Sequence, residues 1–197
     1  MLHVKQIANQ IFTSNTYLVF DDTYDYCWLI DIGDFEKVAK SIPSGVEVRG
    51  VFLTHTHFDH TYGINALHRT YTNCRVYTAE YGKVALYDEK KNFSKYHEAP
   101  FAYEGTDVAV LQDEQSVEIY PDLFITAIAT PGHCPSCLTY ILNDWIFTGD
   151  SYIPKVKVVT KLPNGDRIQA KQSINIILQT AQGKIICPGH GEILKPW

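Results

Sequence analysis

Three imidazoles and a carboxylate fall within six residues at Thr54-His55-Thr56-His57-Phe58-Asp59-His60, and this segment constrains the chain more than any other. It follows Val48-Arg49-Gly50-Val51-Phe52-Leu53, an apolar, β-branched run that reads as a buried strand. A fold has little structural use for so much ionisable side chain at the end of a core strand. A metal ion does, because neutral imidazole nitrogens and carboxylate oxygens are ligands that zinc and iron accept.

Three downstream signals share the same grammar: an apolar run ends near Gly and a candidate ligand follows. Residues 123–129 lead to Thr130-Pro131-Gly132-His133, Trp145-Ile146-Phe147 to Thr148-Gly149-Asp150, and Lys184-Ile185-Ile186-Cys187 to Pro188-Gly189-His190. Gly lets the backbone turn sharply where a strand ends. Seven ligands converge if those four strand ends lie along one edge of a sandwich. His55 and His57 share parity and, with His133, offer three nitrogens to one ion. Asp59, His60 and His190 can serve a second ion, and Asp150 has two oxygens with which to bridge both. Two metals about 3.5–4 Å apart acidify a shared water, whose pKa falls to about 7. The expected cofactors are two divalent ions, zinc first, with iron or manganese also compatible.

These residues resemble the metallo-β-lactamase superfamily: His-x-His-x-Asp-His at 55–60, Pro-Gly-His at 131–133, Gly-Asp at 149–150 and Gly-His at 189–190, in the family's order. Asn15-Thr16-Tyr17 and Leu29-Ile30-Asp31-Ile32-Gly33 are similar to its opening strands and turn. Periodicity alone gives a mixed α and β chain. The resemblance implies an α+β, four-layer αββα sandwich, with two mixed sheets face to face and helices outside. With Asp59 and Asp150 in the set, the ligands look more like those of glyoxalase II than of true β-lactamases, which implies a thioester or related ester as substrate and a metal-bridging hydroxide as nucleophile. Asp59 and Asp150 are then the catalytic carboxylates. Glyoxalase II carries a helical C-terminal domain, whereas this sequence ends seven residues after His190; a short glyoxalase II-like member is expected, whose substrate the resemblance does not assign. Persulfide dioxygenases are also similar and bind one iron through the equivalents of His55, His133 and Asp150, so a mononuclear non-haem iron oxidoreductase is the alternative.

The 197 residues are expected to form a single domain. The net charge of −5 argues against a general nucleic-acid surface. The N-terminus has no apolar signal core, and no stretch approaches the ~20 apolar residues of a membrane span. Five cysteines without a signal point to reduced thiols in a cytoplasm. Cys134-Pro135-Ser136-Cys137 is formally a C-x-x-C, read either as small packing residues behind His133 or as a redox or metal contact.

Strands are expected over 4–12, 17–20, 27–31, 48–53, 76–78, 117–119, 123–129, 138–142, 145–148 and 185–187. Helices are expected over 35–41, 61–71, 79–87 and 170–180, and a hairpin over 155–168 turning at Pro163-Asn164-Gly165-Asp166. The polar, aromatic segment 88–105 is long enough to form a pocket wall, with Tyr96 in it. His97 reads as a solvated loop histidine. After Asp150 come Tyr152, Lys155 and Lys157; the two lysines share parity in a strand. They are either a solvated hairpin face or a seat for a carboxylate or phosphate of a small, anionic thioester substrate. Oligomeric state has no signature here.

Overall fold

The computed structural model describes residues 1–196. Six strands form the first sheet in chain order: β1 (Leu2–Ala8), β2 (Asn15–Asp21), β3 (Tyr26–Ile30), β4 (Glu47–Phe52), β5 (Arg75–Thr78) and β6 (Val108–Val110). Its first three strands are antiparallel, and β3 to β6 run parallel through helical crossovers. The second sheet has the order β11 (Ile185–Pro188), β10 (Trp145–Gly149), β9 (Leu138–Leu142), β8 (Leu123–Ala129), β7 (Ser116–Tyr120). There β11 runs parallel to β10, and the remaining pairs are antiparallel.

Side-chain parity assigns the layers. Tyr17, Val19, Trp28, Ile30 and Phe52 face the second sheet, where Ile125, Ala127, Tyr140 and Phe147 meet them. The alternate residues Leu18, Leu29 and Val51 face outward and are covered by Val38 of α1 (Phe35–Ala39), by Ile64 and Leu67 of α3 (Ile64–Thr70), and by Leu86 of α4 (Glu80–Leu86). On the far side, Ile146 and Ile186 pack against Ile177 and Ala181 at α5 (Arg167–Thr180). This is the expected αββα order, α+β in class. Trp28 explains Gly50 beside it in β4, because a Cβ there would strike the indole ring.

The structure departs from the sequence expectations in four places. The helix expected over 61–71 starts earlier, as α2 (Phe58–Thr61) with Asp59 in its first turn, and is interrupted before α3. Gly63 sits at the break, its Cα against the Gly33 carbonyl, where any side chain would collide. β1 ends at Ala8 rather than Phe12, because the chain turns through Phe12 and Thr13 at positive φ. β6 was not expected; it is three residues long and pairs along one edge with β5. Among the described residues, 155–168 contains no hairpin. The turn at 163–165 forms, with Gly165 N–H donating to the Leu162 carbonyl at 2.9 Å. Its arms find no partner strand, and the Val159 carbonyl is taken by a histidine instead.

Candidate metal centre

Each strand of the four motifs ends at the same edge. β4 runs into Thr54–His57, and His57 becomes the N-cap of α2, whose first turn carries Asp59 and His60. β8 ends at the Gly132–His133 turn. Helix α5 clamps that turn: Asp166 N–H donates to the Gly132 carbonyl at 2.8 Å and Ser173 Oγ to the Pro131 carbonyl at 2.6 Å. Gly132 has φ 128° and lies against Ala170, so it admits no side chain. The β10–β11 register shifts between Phe147 and Gly149, and Gly149 turns at φ 48° to deliver Asp150. The His190 turn is tied to β2: Asn15 Nδ2 and Tyr17 Oη donate to the Pro188 carbonyl at 2.9 and 2.7 Å.

The seven residues meet. His55, His57 and His133 form one group of donor atoms within 4.8 Å of each other, and Asp59, His60 and His190 form a second. His133 Nε2 lies 2.9 Å from His57 Nδ1, and His60 Nε2 lies 3.4 Å from His190 Nε2. Asp150 stands between the groups, with Oδ2 3.7 Å from His133 Nε2 and 3.5 Å from His190 Nε2, and Oδ1 3.5 Å from His60 Nε2.

Hydrogen bonds outside the cluster decide which ring nitrogens face inward. His133 Nδ1 donates to the Val159 carbonyl at 2.8 Å and His190 Nδ1 to the Phe12 carbonyl at 2.9 Å. His60 Nδ1 lies 2.8 Å from Asp31 Oδ2. Thr54 Oγ1 gives its one hydrogen to Asp31 Oδ2 at 2.7 Å, so at 3.1 Å it accepts from His55 Nδ1. His55, His60, His133 and His190 therefore all turn Nε2 toward the centre. His55 Nε2 and Asp150 Oδ1 are buried there without a hydrogen-bond partner. Lone pairs converging at about 3 Å, with two orphaned buried atoms among them, fit a cation: nitrogens bound at about 2.0–2.1 Å in a tetrahedron sit roughly 3.3 Å apart.

The electrostatics of the cluster's own side chains divide the same way. Burial, then the neighbouring His60 and His57, holds His55 well below the ordinary histidine value, and burial lowers His133. Burial also opposes protonation of His60, but Asp59, Asp150 and Asp31 outweigh it and hold it well above that value. His190 is raised to about 9; burial works against this, and its bonds to Asp150 and Asp59 win. Burial pushes Asp150 up, yet His60 and His190 keep it well below the carboxylate range.

The sequence places Asp31 only at the end of a strand and in the turn after it, with no role in the site. It is buried, and it orients His60 directly and His55 through Thr54. The signal was present: a lone carboxylate closing the apolar strand Tyr26-Cys27-Trp28-Leu29-Ile30.

The other expected site residues separate. Tyr96 lines a cavity of about 550 Å³ over the cluster. Tyr152 does not: it packs beside Ile146 and Ile177 on the outer face of the second sheet. Lys155 is exposed with φ 65°, outside any strand, so it shares no strand face with Lys157. Lys157 borders a separate groove with Arg167 and Lys171. His97 is not a solvated loop histidine, since it stacks on Phe58 at 4.1 Å and lines the cavity. Cys134 and Cys137 are buried free thiols 3.4 Å apart, behind His133.

Known proteins resemble this chain in sequence and in fold. A hydroxyacylglutathione hydrolase from Enterobacter sp. (strain 638) is 28% identical over 189 residues, covering 93% of this chain and 64% of that protein. The chain thus spans just under two thirds of that relative's length. The solved structure of the BLEG-1 B3 metallo-beta-lactamase superposes with a TM-score of 0.88 at 26% identity, covering 98% of this chain and 93% of that one. ETHE1 from Myxococcus xanthus superposes with a TM-score of 0.73 at 24% identity, covering 98% and 79%, and shares the fold. The family model for the metallo-beta-lactamase superfamily matches residues 10–190. That span takes in all four strand ends and all seven converging residues, and the chain belongs to the metallo-beta-lactamase superfamily.

Proposed function

We propose that this chain is a metal-dependent hydrolase that cleaves a thioester or a related ester. His55, His57 and His133 would hold one divalent ion, Asp59, His60 and His190 a second, and Asp150 would touch both, with zinc the first expectation. The observation that carries this reading is the position of Asp150, within 3.7 Å of ring nitrogens from both groups. Two such ions, when bound, lower the pKa of a shared water and polarise an acyl carbonyl.

The chain's own residues supply the rest. Asp59 and Asp150 face the cavity floor, where a carboxylate oxygen can accept a hydrogen bond from the attacking water and aim it at the acyl carbon. Phe58 and Phe93 restrict water around that point. Asp31 and Thr54 hold the rings of His60 and His55, so the centre needs little reorganisation when charge develops. The similarity to hydroxyacylglutathione hydrolases supports the thioester class. Five free cysteines support a reducing, cytoplasmic setting.

The test is thiol release from a thioester panel by zinc-loaded protein. Wild type should release thiol, and Asp150→Ala should lose nearly all activity and part of its metal while keeping the wild-type circular dichroism spectrum. An active Asp150→Ala protein would refute the two-metal reading. Oxygen uptake with a persulfide and one iron per chain would establish the mononuclear alternative through His55, His133 and Asp150.

A further inference from the structure

The cavity over the cluster has a polar floor and apolar walls. The floor is His57, Asp59, His133, Asp150 and His190. One wall is Phe12, Phe58 and Phe93 with Tyr96; the other is Val159, Leu162 and Pro163. Among the described residues, no Lys or Arg lines it. Much of this apolar surface lies open: Tyr96 is 70% exposed, Phe12 64% and Val159 50%. A contiguous apolar rim continuous with a polar floor marks a ligand site rather than ordinary surface.

The walls are held in place. Phe58 is stacked on His97, which meets Phe12 edge-on at 5.6 Å. Segment 92–101 is pinned by Asn92 Nδ2 and Ser94 Oγ, both donating to the Phe101 carbonyl. Opposite, the 162–165 turn and the His133–Val159 bond fix the second wall. Above the floor, an anionic substrate would meet apolar side chains, with neither Lys nor Arg to receive its charge.

We propose that the thioester this site accepts is uncharged, with an apolar acyl group seated between the aromatic wall and the Val159–Pro163 wall. This rests on the hydrolase reading and names its substrate class; it replaces the expectation of an anionic substrate held by Lys155 and Lys157. Leu162 and Tyr96 are then specificity-determining residues at the rim.

The probe is a series of neutral S-alkyl thioethers of N-acetylcysteamine, ethyl to octyl, with S-hexylglutathione as the anionic comparator. Binding to zinc-loaded protein is followed by calorimetry, and the matching thioesters are assayed for hydrolysis. A fully covered methylene is worth about a fourfold change in Kd, and the half-open mouth should reduce this to about twofold. Wild type should show that slope and bind S-hexylglutathione no better than the neutral hexyl ether. Leu162→Lys should flatten the slope and favour S-hexylglutathione, and Tyr96→Asp should also flatten it; both positions are open enough to accept the change. A flat wild-type slope, or S-hexylglutathione bound tenfold more tightly than the neutral ether, would overturn the inference. Ethers that bind with the expected slope while no thioester is cleaved would leave this inference standing and remove the hydrolase reading. Thioesters cleaved with no dependence on chain length would do the reverse.

Discussion

Asp31→Asn changes one buried atom and should weaken metal binding at two histidines. Asp31 accepts three hydrogen bonds: Thr54 N–H at 2.7 Å on Oδ1, and Thr54 Oγ1–H at 2.7 Å and His60 Nδ1–H at 2.8 Å on Oδ2. Its backbone lies at φ 57°, a conformation that Asn also tolerates, so the turn itself is kept. If the amide oxygen keeps Thr54 N–H, the NH2 group faces two donors. Relief comes when His60 moves its proton to Nε2, which then points a hydrogen at the cluster, and when Thr54 turns its hydroxyl toward His55. Loss of an outer partner of a ligating histidine costs about 10- to 100-fold in metal affinity, or about 1.4–2.7 kcal/mol. Zinc affinity by chelator competition is the assay, with circular dichroism as the check on folding. The second seat should weaken by that factor, and the first by less, because His55 is reached only through Thr54. Affinities within twofold of wild type at both seats would refute the idea that Asp31 sets these ring tautomers.

Three further outcomes are expected. Filling the second seat should release protons, because His60 is held well above its ordinary value and His190 is raised to about 9; its affinity should rise with pH until about pH 9, by about tenfold per unit for each proton displaced, whereas His55 and His133, both lowered, bring no proton to displace at neutral pH. Calorimetry in buffers of different ionisation enthalpy reads this, and zero proton release at pH 7 would contradict it. Gly189→Ala should disturb the centre rather than the strand, because a Cβ there would collide with Asp150 Oδ1 and crowd His60; overpacking of this kind costs about 1–3 kcal/mol, and metal content should fall before thermal stability does. Lys155→Ala should leave KM unchanged within about twofold for neutral and anionic thioesters alike, since surface changes outside a site rarely exceed about 0.5 kcal/mol; a selective rise for anionic substrates would restore Lys155 to the site.

The convergence of strand ends was legible because each signal is local. An apolar run, a Gly and a ligand stand side by side in sequence, and the sheets bring the four ends together. Tyr152 and Lys155 were misplaced for a related reason. Lys155 and Lys157 alternate as in a strand, but a strand exists only where another chain segment pairs with it, and nothing in the sequence of 157–166 signals that it stays unpaired. Asp31 lies 23 residues from Thr54, so its bonds to Thr54 and His60 depend on β3 and β4 lying side by side and cannot be read from spacing. The apolar character of the cavity was hidden likewise, since Phe12, Phe93 and Leu162 come from three distant segments that meet only in the folded chain.

The central claim is that two groups of ligands share Asp150. Metal per chain, counted by mass spectrometry on freshly purified wild type and Asp150→Ala, tests it most directly. Wild type should carry about two divalent ions per chain, and the variant should show a clear loss of metal. One ion per chain in wild type, or two retained by Asp150→Ala, would contradict it.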